Sequence, residues 1–573
     1  IMFPDMHNFA KTNGVPRKRS TFLIPFTHTL TFNEGALCPF YLEEVLPGDT
    51  FDVQTSYALR MLRTPYVPSM GDAFLSTFYF FVPSRILWKS WKDFFGTAEP
   101  SEYTLPTTRI LPTLEFGDGI VAGSVANMLG LPVTVNSSSG KFNALPFAAF
   151  VKCYNEWFRD ENIIPSNPLD EIIYDMASGA SLDLGDDYLE ITDLAGAETY
   201  SSVAKFHDVF TSALPKPQKG NPVLLPLGDR APLFAVPTAN PNTKINYLST
   251  GFVLTNGTTY YGEDNLGLTA TKGGIISSGG ASDLWHAPAN SSSPVGGSIR
   301  TYLDDTLGTK GFADLSSATA ASIDDLILAI SAQNFLRGLA LSGSRLNEFL
   351  KMEFGVCPKD ATLQRPEYLG GAFDRINMQQ VANTTGDGSG SSSQVSLKAT
   401  GGLGAYSLTS NTQGSFVRSF DEHGYVLGLC CVRVKHRYSQ GIPKIFRKSD
   451  KFDFFMPDFD RIGNVPVPKD EIFAGGTGTL GFQEAWYEYR NHLDQISGDV
   501  IPGLYTDLQA WTYGDLYSVA PTLNAAFITE NKNRLDQNLT GSTSVAQFIL
   551  DIQVKNKCTR PMSLNSVPGR LGL

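Results

Sequence analysis

Hydrophobic and polar residues alternate along several segments near the start of the chain, which is the pattern of strands with one buried face. Turn-forming residues at 46–49 and 64–68 separate these segments. Residues 78–82 are apolar at every position, which predicts a strand covered on both faces. The alternating segments are Thr21–Phe32, Asp49–Arg60 and Ala73–Val82.

Later segments continue the strand pattern or change to a helical one. Tyr425–Tyr438 and Val545–Val554 have the composition of strands. In other segments apolar residues recur every three or four positions, which predicts amphipathic helices. These helices are expected at Ser84–Phe95, Ala144–Phe158, Ser322–Ile330, Ser344–Phe354 and Phe482–Ile496.

The helix predicted at Ser344–Phe354 carries a complete apolar stripe. Gly355 stands where this helix should end, because glycine accepts the left-handed conformation that terminates helices. We expect the stripe to be buried, and its members are Leu346, Phe349, Leu350 and Phe354.

Changes in composition divide the chain into parts. Residues 1–20 form a basic N-terminal arm, and residues 21–228 and 322–573 carry the strand and helix patterns of one core. Residues 229–321 are rich in Gly, Ser, Thr, Asn and Pro. A stretch of this length without a strong helix is too long for a plain loop in a compact domain, so we expect an insertion with some β structure of its own.

The overall composition favours a mainly β chain with long loops. Of the 573 residues, 53 are Gly and 34 are Pro, and they are spread along the chain, as in proteins whose short strands are joined by many turns. Hydrophobic residues make up 42%, enough for a large core, whereas 18% charged residues is low for a soluble enzyme. We infer that much of the surface is neutral or is buried against another molecule.

Net charge and cysteine content limit the binding partners and the cellular compartment that we expect for the protein. A net charge of −12 argues against nucleic-acid binding over the whole surface, because such binding neutralises phosphates, so any contact must be a local basic patch. The six cysteines lack CxxC spacing, which favours buried free thiols made in a reducing compartment. The adjacent Cys430 and Cys431 should face opposite sides of a strand. No apolar run is long enough to span a membrane, so we expect no membrane insertion and synthesis in the cytoplasm.

The sequence contains no motif that specifies catalysis, a metal or a cofactor. P-loop, HExxH and EF-hand patterns are absent, and the seven histidines are far apart. Gly476–Gly481 matches GxGxxG, but Pro466–Asp470 before it would make a poor central strand, so a glycine loop that caps the following helix explains it better than a dinucleotide site. The acid pairs at 43–44 and 186–187 would face opposite sides of a strand and could not flank one glycosidic bond. We therefore expect no enzyme activity.

The clearest chemical signal is a cluster of cations in an otherwise acidic chain, with Tyr438, Phe446 and Phe452 among them. Cations neutralise phosphates while aromatic rings stack on unpaired bases, which is the combination expected of a contact with single-stranded nucleic acid. A solvated face, or a contact with acidic residues of another subunit, is the alternative. The cluster consists of Arg433, Lys435, Arg437, Lys444, Arg447, Lys448 and Lys451; the cations of the arm are Lys11, Arg17, Lys18 and Arg19.

Several long motifs follow one another in a specific order: 31–35, 44–51, 80–85, 210–220, 225–228, 363–371, 484–490, 521–527 and 558–562. In this order the chain resembles the major capsid protein of the Microviridae, small phages with single-stranded DNA, and in particular the gokushovirus-like branch. The resemblance covers nearly the whole chain. It departs chiefly in 229–321.

This resemblance implies a mainly β fold, a single eight-stranded antiparallel jelly roll with large loop insertions that contain several helices. It implies sixty copies that close a T=1 icosahedral shell around a circular single-stranded DNA genome, assembled in the cytoplasm of a host bacterium. The insertion 229–321 would be a surface protrusion near the threefold axes that binds a host receptor. The cations of the arm and of the 433–451 cluster would face inward and touch the genome or a small basic packaging protein.

A second class of protein also fits the composition. A β-sandwich lectin, or an enzyme acting on glycosides, would use the long insertion to hold glycans. The two interpretations differ in particle size, because a shell is far larger than a monomer or a small oligomer.

Overall fold

The computed structural model describes residues 18–95, 109–117, 119–135, 140–183, 202–223, 233–236, 246–248, 251–253, 310–313, 323–382, 384, 403–505, 508–530 and 532–565. The chain divides into two compact units, one made of residues 1–219 with 337–573 and the other of residues 220–336. Most of the regular structure is antiparallel β, with short helices in the connections, as the composition predicted.

The elements are named in chain order within the described residues. The strands are β1 (Ser20–Phe32), β2 (Cys38–Val45), β3 (Thr50–Met61), β4 (Ala73–Pro83), β5 (Thr113–Glu115), β6 (Phe142–Asn143), β7 (Ser181–Asp183), β8 (Leu233–Val236), β9 (Asn246–Leu248), β10 (Gly251–Val253), β11 (Lys310–Ala313), β12 (Glu367–Arg375), β13 (Met378–Ala382), β14 (Leu403–Ser407), β15 (Thr409–Ser419), β16 (Gly424–Val434), β17 (Asn464–Pro468), β18 (Thr479–Glu484) and β19 (Phe548–Arg560). The helices are α1 (Trp91–Phe94), α2 (Val125–Met128), α3 (Leu145–Cys153), α4 (Leu169–Asp175), α5 (Ile323–Ser342), α6 (Leu346–Phe354), α7 (Ala525–Ile528) and α8 (Asn533–Asp536).

Two four-stranded sheets organise the first unit. The open sheet has the strand order β1–β19–β3–β15, and the covered sheet has the order β12–β4–β16–β2. Neighbouring strands are antiparallel throughout both sheets. The segments that alternated in the sequence became β1, β3 and β4, and the two later strand predictions became β16 and β19, so these predictions are confirmed.

The first hydrophobic core lies between the open and the covered sheet. Along β3, buried and more exposed residues alternate, as the period of two predicted. Leu59 of β3 pairs with Leu550 of β19, and both side chains are fully buried. From the covered sheet, Tyr79 fills the same core, with its ring 5.5 Å from the ring of Phe40.

A second core covers the far face of the covered sheet. All residues of β16 except Arg433 are buried, which requires packing on both of its faces. Cys430 lies in the core between the sheets, whereas Cys431 lies in the second core with Phe147 and Phe150 of α3. The predictions of a strand covered on both faces and of opposite orientations for the two cysteines are confirmed.

The thiols are free, and all but one are buried. Burial raises the pKa of the Cys430 thiol well above its usual value, which keeps the thiol protonated and unreactive. The expectation of buried thiols is wrong for Cys357, which is exposed in the loop after α6.

The helix predicted at Phe482–Ile496 is wrong. Residues 479–484 form β18, which pairs with β17, and only one 3-10 turn follows at Tyr487–Tyr489. Trp486 has a φ of 67°, in the left-handed region, so a right-handed helix cannot pass through it. Gly476–Gly481 therefore lies between β17 and β18 and at the start of β18, and it caps no helix.

The remaining helix predictions have mixed outcomes. Ala144–Phe158 is helical, as α3 followed by a π-helical turn, and α5 and α6 form where expected. Ser84–Phe95 is interrupted, because the backbone N–H of Lys89 donates to the carbonyl oxygen of Tyr174 at 3.0 Å. This bond replaces the helical bond to the residue four positions earlier. The segment forms a 3-10 turn at 84–86 and the short α1.

The end of α6 is confirmed, but the burial of its apolar stripe is not. Gly355 terminates the helix with a φ of 68°. Leu346 is 60% exposed and Phe354 is 68% exposed, so the prediction that the stripe is buried in the folded chain is wrong.

The second unit, residues 220–336, contains small antiparallel ribbons. β8 pairs with β11, and β9 pairs with β10. The predicted insertion 229–321 falls within this unit. Most of its residues lie outside the described ones, and its role as a protrusion stays a prediction.

Replacing Leu59 by Ala tests the core between the sheets. The cavity left by this fully buried side chain should lower the free energy of unfolding by about 2–5 kcal/mol. The measurement is chemical denaturation of the purified chain. Val417→Ala in β15 is the control, because Val417 is 71% exposed and should change stability by less than about 0.5 kcal/mol. Equal effects at both positions would contradict the assignment of this core.

Candidate nucleic-acid interface

The cations predicted in the N-terminal arm lie at or before the start of β1. Lys11 and Arg17 fall outside the described residues. Lys18 is exposed. The guanidinium of Arg19 donates to the carbonyl oxygen of Gly48 and, at 2.9 Å, to Oγ1 of Thr50. The arm therefore leaves the described part of the molecule beside the turn that precedes β3.

Three cations of the predicted cluster occupy alternate positions at the end of β16. Because side chains two residues apart on an extended chain share a face, Arg433, Lys435 and Arg437 point to the same side. The guanidinium of Arg433 lies 4.2 Å from the centre of the Phe206 ring. Lys435 Nζ lies 3.7 Å from the carboxylate of Asp494.

Arg437 is held more tightly than its two neighbours. It lies 3.7 Å from a carboxylate oxygen of Asp72 and donates to the carbonyl oxygen of Met70 at 3.3 Å. At the end of β16, intramolecular partners thus reduce the positive charge that the sequence alone suggested.

The other four cations belong to residues 442–462, which we call the basic aromatic loop. Two lysines share one acid: Lys444 Nζ lies 3.0 Å and Lys448 Nζ 3.3 Å from carboxylate oxygens of Glu488. Arg447 lies 2.9 Å from Asp470. Burial acts to raise the pKa of Glu488, but hydrogen bonds, including one from Lys444, outweigh it and lower the pKa, so the carboxylate stays charged.

Exposed apolar side chains give the basic aromatic loop its character. Ile445 is 70% and Phe446 is 80% exposed. Phe452 and Phe454 are 56% and 53% exposed, and Lys451 Nζ lies 5.0 Å from the ring centre of Phe452. Large apolar side chains gathered on a surface mark a site of interaction. Aromatic faces beside ammonium groups suit unpaired bases and their phosphates.

The net charge of the basic aromatic loop is small. Counted over all of residues 442–462, the loop contains five cations and four acids, which are Asp450, Asp453, Asp458 and Asp460. Electrostatic attraction for phosphates is therefore weaker than the cation count predicts, and stacking on the exposed rings must supply more of any contact with a nucleic acid.

Sequence reasoning missed a buried ionic cluster that lies directly behind the strand-end cations. His436 lies between the cations of β16, but its side chain points the opposite way and is only 1% exposed. Its Nδ1 lies 3.0 Å from Asp515 and its Nε2 lies 3.1 Å from Glu530. No spacing in the sequence links these residues, because they come from separate loops. The charged and titratable groups of the cluster are Glu34, Lys205, His436, Asp515, Tyr517, Glu530 and Arg534.

Mutual charge pairing sets the protonation of this cluster. Burial acts to lower the pKa of His436, but Glu530 and Asp515 outweigh it and raise the pKa. Burial acts to raise the pKa of Asp515, but Arg534 and His436 outweigh it and lower the pKa. The pKa of Glu530 is lowered in the same way, because His436 and Arg534 outweigh the effect of burial. The position of His436 between two carboxylates favours its protonated form, and Arg534 adds a second cation to the cluster.

Within the described residues, neither a metal site nor a membrane-spanning helix is found. No group of three or more His, Cys, Asp or Glu among them is placed to hold a metal ion. None of the described helices is both long and apolar enough to cross a membrane.

Comparison with known proteins gives a consistent result over the whole chain. Residues 10–570 match the family described as capsid protein (F protein). The chain is 33% identical to capsid protein VP1 of Bdellovibrio phage phiMH2K, over 99% of this chain and 98% of the relative. It is 31% identical to capsid protein VP1 of Spiroplasma virus 4, over 98% and 97%. Capsid protein VP1 of Chlamydia phage 1 is 29% identical, over 98% and 97%.

The ionic cluster predicts a stability maximum between two pH limits. The raised pKa of His436 gives stabilisation that is complete below about pH 6.5 and is lost as the pH rises through the folded-state pKa. The lowered pKa values of Asp515 and Glu530 give stabilisation that is present above about pH 4 and is lost as the pH falls through their folded-state values. Unfolding temperature measured against pH checks both limits.

His436→Gln isolates the alkaline limit. It removes the cation that lies between the two buried carboxylates and leaves Arg534 to pair with Asp515, so it should lower the free energy of unfolding by about 3 kcal/mol at pH 6, with a smaller difference at higher pH. His207→Gln is the control, because His207 is exposed. A loss of stability that does not depend on pH would show that His436 is neutral in the folded protein.

Proposed function

The chain belongs to the family of phage capsid proteins, and from this membership we propose that sixty copies of it form a T=1 icosahedral shell around a circular single-stranded DNA genome. The family gives the chain a structural role in the virion and implies self-assembly into a shell. The match over 10–570 carries the proposal, because it spans both cores and the basic aromatic loop. We place assembly in the cytoplasm of a bacterial host.

The strand order supports an eight-stranded jelly roll as the shell-forming fold. Taken along the chain, β1 and β3 enter the open sheet while β2 and β4 enter the covered sheet. In the second half, β12 and β16 lie in the covered sheet while β15 and β19 lie in the open sheet. This repeated crossing between two four-stranded antiparallel sheets is the arrangement of a jelly roll, an architecture common in viral capsids.

The surface chemistry supports contacts between copies. Charged residues make up only 18% of the chain, and the centres of protein interfaces are depleted of charge. Closed symmetric assemblies repeat the same contact at every subunit, so one uncovered apolar surface per chain is covered many times.

We assign the cations and rings to the inner surface of this shell, in contact with the genome or with a small basic packaging protein. The exposed rings of the basic aromatic loop favour unpaired bases, which are available only in a single-stranded genome. The cations of the assignment are Lys11, Arg17, Lys18, Arg19, Arg433, Lys435, Arg437, Lys444, Arg447, Lys448 and Lys451.

Residues 229–321 are assigned to an outer protrusion that contacts a receptor on the host cell. Two observations support this assignment. The range falls in a unit of its own, residues 220–336. Its composition of Gly, Ser, Thr and Asn suits a variable exposed surface.

Particle size tests the proposal directly. The unmodified chain, purified after expression in bacteria, should sediment as closed particles of several megadaltons that are round and uniform by negative-stain microscopy. A chain that stays a monomer of 62.4 kDa at all salt and protein concentrations would refute the shell.

A double substitution, Phe446→Ala with Lys451→Gln, tests the nucleic-acid contact. Both side chains are exposed, so folding should not change. Loss of one stacked ring should weaken binding of a fluorescent oligo-dT about ten-fold, since stacking contributes about 1–3 kcal/mol per base. Loss of one cation should reduce the dependence of log K on log salt by about 0.7. Fluorescence anisotropy measures both.

Val519→Ala with Lys555→Gln is the matched control, because Val519 is 72% exposed and Lys555 is exposed on β19. Equal weakening by both pairs of substitutions would exclude a specific role for the basic aromatic loop. Binding of a basic peptide in place of oligo-dT would assign the loop to a packaging protein.

A further inference from the structure

Two members of the apolar stripe of α6 remain exposed among the described residues. Its residues Leu346 and Phe354 are 60% and 68% exposed, and Val356 just beyond the helix is 57% exposed. No residue of α6 is buried. Isolated exposed apolar residues are ordinary, but a row of them at helical spacing on one face is the pattern of a contact surface.

The stripe and the opposite face of α6 have different surroundings. At 3.6 residues per turn, Leu346, Leu350 and Phe354 share one side of the helix, while Glu348 and Met352 point the other way. Met352 packs against the end of α5, where a Cβ added to Gly338 would come within 2.8 Å of its Cε. The carboxylate of Glu348 accepts a hydrogen bond from the backbone N–H of Arg345 at 3.2 Å. Met352 contacts α5 while remaining 45% exposed, and Leu346 and Phe354 lie on the other side of the helix.

The start of α6 is firmly fixed. Arg345 forms an ion pair with Glu161 and donates to the carbonyl oxygens of Asn155 and Arg159, both at 3.4 Å. The hydroxyl of Ser344 donates to Oδ1 of Asn162 at 2.8 Å. These contacts hold the helix to the end of the α3 segment and keep the stripe in one orientation.

Because α6 is short, it depends on other residues that pack against its apolar stripe. A helix of nine residues is shorter than the roughly 12–15 residues at which isolated helices become stable, so it depends on tertiary packing. With roughly 200 Å² per large side chain, Leu346, Phe354 and Val356 leave on the order of 300 Å² of apolar surface in water. A standard interface buries about 800 Å² per partner, so the stripe supplies a good part of one contact but not a complete dimer interface.

We propose that the stripe of α6 packs against a second copy of this chain as one of the contacts between neighbouring subunits. This inference rests on the proposed shell. The stripe does not suit a nucleic acid, because Glu353 lies within it at helical spacing and would repel phosphates. The charge on α6 also argues against a lipid surface, which selects helices with a strongly basic polar face, because Glu348 and Glu353 outnumber Lys351. A partial contact repeated around a closed shell is cooperative, and a single pair of subunits remains weakly bound.

The double variant Leu346→Gln with Phe354→Gln tests the contact. It should leave the unfolding temperature of the isolated subunit within a few degrees and lower the yield of shells, measured by sedimentation, at least about ten-fold. Lys351→Gln is the matched control on the same helix, because Lys351 is exposed and lies about 100° around the helix from Leu350, outside the stripe, and it should assemble normally.

Two outcomes would overturn the contact while the shell itself stands. In the first, the double variant assembles as well as the unmodified chain. In the second, the double variant lowers the unfolding temperature of the isolated subunit by as much as a core substitution, which would show that another segment of the same chain covers the stripe. Failure of the unmodified chain to form particles is a different result and refutes the shell.

The unmodified chain offers a second measurement that needs no substitution. Cys357, close to the end of the stripe, is exposed, whereas the other five cysteines are buried. A maleimide should label it rapidly in free subunits and at least about five-fold more slowly in assembled shells. Equal rates in the two states would contradict the contact.

Discussion

Burial of the covered sheet on both faces is the constraint on which the rest of the molecule depends. Strands β4 and β16 are apolar on both sides, so two hydrophobic layers must form against them at once. The open sheet provides one layer, and α3 with its neighbouring helices provides the other. The long connection from β4 to β12 carries most residues of that second layer, and the long connection from β16 to β19 carries the basic aromatic loop. The fixed ends of these connections in turn position α6 and the basic aromatic loop.

The sequence correctly predicted the strands and helices whose hydrophobic pattern follows directly from which of their own faces are buried. Alternation along β3 and the uninterrupted apolar run in β4 were sufficient, because local period and burial agree there. The pattern failed where a tertiary contact decided the backbone. Trp486 takes a left-handed conformation inside an apparent helical repeat, and the bond from Lys89 to Tyr174 interrupts another. Neither contact leaves a trace in residue spacing.

In the candidate interface, too, the local sequence pattern was predictable and the tertiary contacts were not. The cations were visible in the sequence, but their partners were not: Glu488 lies 40 and 44 residues from the two lysines it pairs with. The ionic cluster around His436 could not be predicted at all, since its members lie far apart in the chain and only the fold brings them together. Helix α6 and its end at Gly355 were predicted correctly, but the expectation that its apolar stripe is buried failed at Leu346 and Phe354.

The position of β19 has a consequence for how the protein is made. This strand lies between β1 and β3, and its residue Phe548 is paired with Phe32. During synthesis, more than five hundred residues are therefore translated after β1 before the strand with which it pairs is made. The nascent chain must keep two unpaired strand edges soluble throughout that interval, and such edges invite pairing with other chains. The open sheet is therefore completed only after translation of residues 548–560.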